Sequence, residues 1–170
     1  MANITETVQR YMIADYLGIK TVSNETETTV FHLMGTGFNT LDENPTAQNQ
    51  ETIYISDKAA TNYIKSYKPV FPFDTDLVAS EDAVMALYDV GRNQKTGTDA
   101  EFDYVRVELF KPVSGSENTY AARKFRVSCE VSGVAGSGGE TVKVTGNLHG
   151  VGNFIDGTFN TSTKTFTEKE

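Results

Sequence analysis

From Tyr120 to Thr167 the chain alternates apolar and polar residues with the period of a β-strand, broken by short turns. Phe125, Val127, Cys129 and Val131 interleave with Lys124, Arg126, Ser128 and Glu130. Successive side chains on a strand point to opposite faces, so the first set goes to a core and the second to water or a partner. The next strand repeats the rule, with Val142, Val144 and Leu148 on one face and Lys143, Thr145 and Asn147 on the other. A Thr-rich hairpin over 157–167 follows, with Phe159 and Phe166 flanking the turn at Asn160-Thr-Ser-Thr163. This describes a half-buried antiparallel sheet, and none of these residues reads as catalytic.

The rest of the chain adds strands and one helix. Tyr11 to Leu17 reads as a strand despite a helical spacing of Val8, Tyr11 and Met12. Thr28 to Met34 is rich in β-formers. Ile53-Tyr-Ile55 reads as a short strand, and Val70 to Phe73 is extended because proline disfavours helix in its predecessor. Ser80 is placed as N-cap of a helix over about 80–91, with Glu81 and Asp82 in its first turn. Val84, Leu87 and Tyr88, beside Ala83, form its apolar face, and Gly91 closes it as a left-handed cap. Phe102 to Phe110 alternates two mixed sets, which predicts a strand covered on both faces over part of its length. Ser114 to Asn118 is a turn, and Ala135 to Gly139 a flexible hairpin tip.

Gly35 to Thr52 stands apart. It holds Gly-Thr-Gly, Asp42-Glu-Asn-Pro45 and Gln48-Asn-Gln50, with only Phe38 and Leu41 large and apolar. A patternless stretch of this length is uncommon inside a compact domain, and usually marks a functional or partner-ordered loop. The expected fold is therefore mainly β. It is an antiparallel β-sandwich or barrel-like core with one flanking α-helix at about 80–91 and a long extended loop at about 35–52.

Composition narrows the function. The 170 residues suit one domain, expected to span 1–170 without an additional C-terminal domain. The net charge of −8 disfavours a protein that grips nucleic acid through its phosphates. Glu6, Arg10 and Asp15 interrupt any signal-like apolar run, and no stretch reaches the roughly 20 apolar residues of a spanning helix, so no membrane role is expected. The lone Cys129 is expected to be a buried core thiol. His32 and His149, the two histidines, have no metal-ligand spacing. There is no Gly-x-Ser-x-Gly elbow and no phosphate-binding loop. Asp99, Glu101 and Asp103 share a strand face, and Asp74 and Asp76 lie together. Without a calcium-loop signature, both groups read as solvated acids. No catalytic, cofactor-binding or metal site is expected.

Several motifs in order carry a resemblance. Met34-Gly-Thr-Gly-Phe38, Leu41-Asp-Glu-Asn-Pro45, Tyr120-Ala-Ala-Arg-Lys-Phe-Arg-Val127, Gly157-Thr-Phe-Asn160 and Thr165-Phe-Thr167 resemble the major tail protein, or tail tube protein, of long-tailed phages and prophages of Gram-positive bacteria. The resemblance implies a virion protein, assembled in the host cytoplasm, that forms hexameric rings stacked into a tube through which DNA passes without specific binding. It implies no enzyme and no cofactor. Its implied partners are further copies of itself, a tape measure protein, a tail terminator and distal tail or baseplate proteins. Under it, Phe38, Leu41, Asp42, Glu43, Asn44 and Pro45 are candidates for an inter-subunit arm.

Elementary physics points the same way. Exposed sheet edges need protection, and pairing with an identical subunit supplies it. A head-to-tail contact repeated in a closed rotation makes a ring. Six copies would carry −48 (6 × −8), a charge that repels DNA wherever it faces a lumen. The polar positions of the meander strands are the candidate wall. The competing expectation is a receptor- or carbohydrate-binding β-sandwich of a baseplate, against which stands the absence of tryptophan.

Overall fold

The computed structural model describes residues 6–170. A short 3-10 turn at Arg10–Met12 leads into β1 (Ile13–Ser23) and β2 (Thr26–Leu33). Next come β3 (Phe38–Leu41), β4 (Ala47–Thr52), β5 (Thr61–Tyr67) and β6 (Val70–Asp76). Helix α1 (Asp82–Arg92) precedes β7 (Glu101–Pro112) and β8 (Thr119–Ala135). The chain ends with β9 (Lys143–Gly150), β10 (Ile155–Asn160) and β11 (Thr165–Glu168). Every strand pairing is antiparallel, as the alternation predicted.

One large sheet runs β2-β1-β7-β8-β9-β6-β3, with β10 and β11 branching from β8. Among the described residues it does not close into a barrel; β2 and β3 remain its two ends. The 17-residue β8 is the fork. Its first half, Thr119–Lys124, pairs with β10, and its second half, Val127–Ala135, pairs with β9. Both partners lie on the side away from β7, which borders β8 from Tyr120 to Ser128.

The two branches curl toward opposite faces, and each face gets a core. On one, Leu17, Leu41, Phe71, Phe73, Tyr104, Phe125, Val127, Val144 and Leu148 pack beneath α1. On the other, Tyr16, Val105, Val107 and Ala122 pack against Phe159 of β10. The Phe159 ring lies 4.5 Å from that of Tyr16 and edge-on to Phe31. Strand β7 separates the two, and Tyr104, Val105, Arg106 and Val107 are all buried. The two-faced coverage predicted for Phe102–Phe110 is what its mixed alternation produces.

The faces assigned to β8 and β9 hold. Val127, Val144 and Leu148 are fully buried, and Arg126, Lys143 and Asn147 are not. Val142 is an exception; it precedes β9 and is exposed. Helix α1 forms where expected, with different ends. Its N-cap is Glu81, with no side-chain cap, rather than Ser80. Its buried face is Ala83, Val84, Leu87 and Val90, while Tyr88 is half-buried. Gly91 lies within the helix and Asn93 is the C-cap, so the glycine is there for close approach. A Cβ on Gly91 would meet Val131 Cβ at 2.8 Å, which identifies where the helix presses on β8.

Residues 35–52 depart most from expectation. Instead of one long loop they hold β3, an end strand of the main sheet, and β4, half of a separate two-stranded ribbon with β5. Ile53-Tyr-Ile55, expected as a strand, forms the turn of that ribbon. The pattern was weak because β3 has four residues and β4 buries no apolar face.

Candidate functional site

The β4–β5 ribbon is an arm. Its strands leave the body at Asn44 and Val70, whose backbones exchange hydrogen bonds of 2.8 and 2.9 Å. Beyond that bridge almost nothing is covered. All seven residues of β5 are exposed, including Tyr63, Ile64 and Tyr67. Ile53, Tyr54 and Ile55 stand out at the tip, where Asp57 accepts a hydrogen bond from the Tyr54 amide at 3.0 Å and fixes the turn. A lone two-stranded ribbon is marginal in water, and six large apolar side chains lie exposed at its surface.

The six sequence candidates for an arm fall mostly at its root. Leu41 is buried in this subunit's own core, and Phe38 is half-buried against it. Asp42 and Pro45 are exposed, and Asn44 forms the bridge to Val70. Glu43 turns inward and accepts two hydrogen bonds from Arg123 Nη2, at 2.8 and 2.7 Å. The residues that project were passed over. The turn after Thr52 and the cluster Tyr63, Ile64 and Tyr67 carried a signal, namely large apolar residues in runs rather than in the alternation that buries one face.

Glu43 belongs to a buried polar network that the sequence did not reveal. Asp15 is only 2% exposed, Arg106 7% and Tyr104 0%. Tyr104 Oη donates to Asp15 Oδ1 at 2.5 Å, and Arg10 Nη2 donates to Asp15 Oδ2 at 2.6 Å. Arg106 Nη1 donates to Tyr104 Oη at 3.3 Å, and its Nε lies 3.9 Å from Glu43. Burial pushes the Tyr104 hydroxyl well above its ordinary pKa, and the Asp15 carboxylate adds to it. For Arg106 burial opposes the charge, but Tyr104, Asp15 and Glu43 outweigh it and raise the pKa. The network ties the start of β1, the middle of β7 and the root of the arm together. Its alternating partners satisfy one another.

The sheet face opposite α1 is covered by β10 and β11 over one half only. The other half is open and polar. On it Arg126 Nε donates to Glu101 at 3.0 Å and Nη1 to Asp103 at 3.1 Å. Lys143 Nζ lies 3.0 Å from Asp76 and 3.8 Å from Asp74, and Asn39 donates to both carboxylates. Lys20 meets Glu27 at 2.7 Å, and His149 Nε2 meets Glu130 at 2.5 Å. Burial opposes the Arg126 charge, but its two carboxylates prevail and raise the pKa. The hydrogen bond from Lys143 lowers the Asp76 pKa, and Asn39 reinforces it. Glu101 and Asp103 thus share a face as expected, whereas Asp99 sits in a 3-10 turn at Gly97–Ala100.

The remaining candidates are placed as follows. His32 lies 3.4 Å from Asp82 at the start of α1. Cys129 is buried, and desolvation pushes its thiol up to about 12. Among the described residues no helix is long and apolar enough to cross a membrane.

No family model matches this chain, and neither does any curated protein. Among solved structures it is similar to a chain of the anti-feeding prophage baseplate, determined by cryo-electron microscopy with six-fold symmetrisation. The two are 6% identical, with 91% of this chain and 97% of that chain covered at a TM-score of 0.44. A likeness this distant says nothing of function.

Proposed function

We propose that the chain is a self-assembling structural subunit of a phage-type tail, a tail-tube protein whose copies form stacked hexameric rings, and not an enzyme. The observation that carries this reading is the arm: Ile53, Tyr54, Ile55, Tyr63, Ile64 and Tyr67 lie exposed on a ribbon without a partner in its own subunit. Charge favours another copy as that partner. Residues 44–69 carry Lys58, Lys65 and Lys68 against Glu51 and Asp57, a net +1 (3 − 2), which leaves −9 on the rest (−8 − 1). Two free sheet ends, β2 and β3, offer a second, head-to-tail contact. The motifs that resemble tail tube proteins point to the same assembly. In it the open polar face lines the lumen, DNA passes without being bound, and tape measure, terminator and distal tail proteins meet the tube ends.

Negative-stain micrographs of the purified protein at rising concentration test this reading. Rings or tubes with a central channel are expected. Monomers at every concentration, with the arm amides still exchanging freely with solvent, would overturn it.

One observation favours a second reading, the receptor- or carbohydrate-binding baseplate module. A cleft of about 530 Å³ at the root of the arm is lined by Tyr67, Phe154, Lys65 and Arg123. Tyr67 and Phe154 are exposed, and aromatic faces of this kind stack on sugars. Retention of a glycan by the monomer, lost in Phe154→Ala, would replace the first reading with this one.

A further inference from the structure

Cations are treated differently on the open polar face than elsewhere on the molecule. Among the described residues Lys58, Lys65, Lys68, Lys95, Lys164 and Lys169 form no ion pair, and all lie on the arm, in loops or near the C-terminal hairpin. On the open face Lys20, Arg126 and Lys143 are each bonded to carboxylate. Arg126 and Lys143 each have two. One carboxylate would neutralise either cation; the second leaves a surplus. Three basic side chains face six acids (Glu27, Asp74, Asp76, Glu101, Asp103 and Glu130), a net −3 (3 − 6). Lys124, at the border with the covered half, lies over the Phe166 ring at 5.2 Å instead.

We propose that these carboxylates act as masks: Glu101 with Asp103, and Asp74 with Asp76, hold Arg126 and Lys143 so that a polyanion passing over this face finds no cation to seat a phosphate. The proposal rests on the reading that the face lines a channel for DNA. Its physics is that of counterion exchange. A lysine or arginine binds DNA by neutralising a phosphate and releasing its condensed counterion. A cation already engaged by two carboxylates must first abandon them, and the freed acids then repel the same strand. Stabilisation of the sheet is the plainer role for cross-strand pairs. Exposed pairs contribute little to stability, however, and a stabilising role does not call for two acids per cation. It also does not explain why the unpaired lysines, Lys124 at the border apart, lie elsewhere.

The test compares two variants of equal charge. D74N/D76N/E101Q/D103N unmasks Arg126 and Lys143, while D89N/E117Q/E168Q/E170Q neutralises four acids away from the face. Both have net −4 (−8 + 4). A labelled short DNA duplex is titrated with the soluble protein across a series of salt concentrations. The unmasked variant is expected to bind at low salt. Its logarithm of affinity falls with the logarithm of salt by about 1.8, or about 0.9 for each freed cation. The control variant and the wild type are expected not to bind. E101Q/D103N and D74N/D76N, made separately, carry about half the slope each and keep the test open if the fourfold variant misfolds. Equal binding by the unmasked and control variants, or no binding by any folded variant, overturns the masking role. Tube formation is read separately in micrographs, so a failure of the tail reading and a failure of masking are distinguishable.

Discussion

The body of the molecule and its arm are built from the same material with opposite results. Both are antiparallel strands that carry tyrosine, isoleucine and threonine. In β6 every second residue is buried, from Phe71 through Phe73 to Thr75; in β5 none is. The difference lies in what stands behind the strand. β6 has β9 and β3 as neighbours and α1 with the curled sheet beneath it, whereas β5 has only β4. A strand's apolar residues are thus a demand for burial, and the supply comes from elements distant in sequence or from another molecule. In the body this chain meets the demand itself. In the arm it leaves the demand standing, which is the physical basis for reading the arm as an interface.

The comparison breaks most visibly if a core residue and an arm residue prove equivalent. Val127→Asp places an unpaired charge in the fully buried centre of β8 and should destabilise by about 4 kcal/mol or more. Thermal unfolding checks it, and a melting temperature near wild type would mean that the two faces of β8 are reversed. Next comes the network. Asp15→Ala removes the acceptor of Tyr104 and Arg10 and strands the buried Arg106 charge, an expected loss of about 3 kcal/mol by denaturant unfolding. Deleting 39–50 would remove most of β3 with Leu41 and only part of the arm's first strand, so a cut confined to the ribbon separates assembly from folding more cleanly.

At the arm tip the stability effect should nearly vanish. Ile55→Asp is expected to stay within about 0.5 kcal/mol of wild type while it blocks assembly in micrographs. Loss of cooperative unfolding in this variant would show that the ribbon is part of the core after all. The smallest effect concerns Cys129. With its thiol raised to about 12 by burial, the folded protein should resist alkylation at pH 8, and denaturant should release the reaction. The sign for stability follows. The unfolded thiol ionises near its ordinary value of about 9 and the folded one near 12, so stability falls as pH rises between them.

Much of the fold was legible because it is written in two-residue periodicity. Phe125, Val127 and Cys129 announced the inner face of β8, and the mixed sets of Phe102–Phe110 announced burial on both sides of β7. Helix α1 was legible from its apolar spacing, though not its ends. The acidic start suggested Ser80 as a cap, and tertiary packing against Val131 turned Gly91 from a terminator into a contact. The candidate site was less legible. Glu43 was picked for the arm on its loop-like surroundings, and the structure aims it at Arg123, a partner 80 residues away.

By itself, then, the sequence determined what each residue asks of its neighbours: the alternation sets the strands and their inner faces, the glycines and prolines set the turns, and the charge sets an acidic surface. These are short-range properties, governed by backbone geometry and by the side chain's own solvation. Tertiary structure decided which of those demands are met. The fork at β8 sent two branches to opposite faces and made two cores. Register brought Glu101 and Asp103 onto Arg126, and Asp74 and Asp76 toward Lys143. The ribbon between Asn44 and Val70 was left outside, because strand pairing over long sequence separations, not local composition, determines which apolar surfaces find cover.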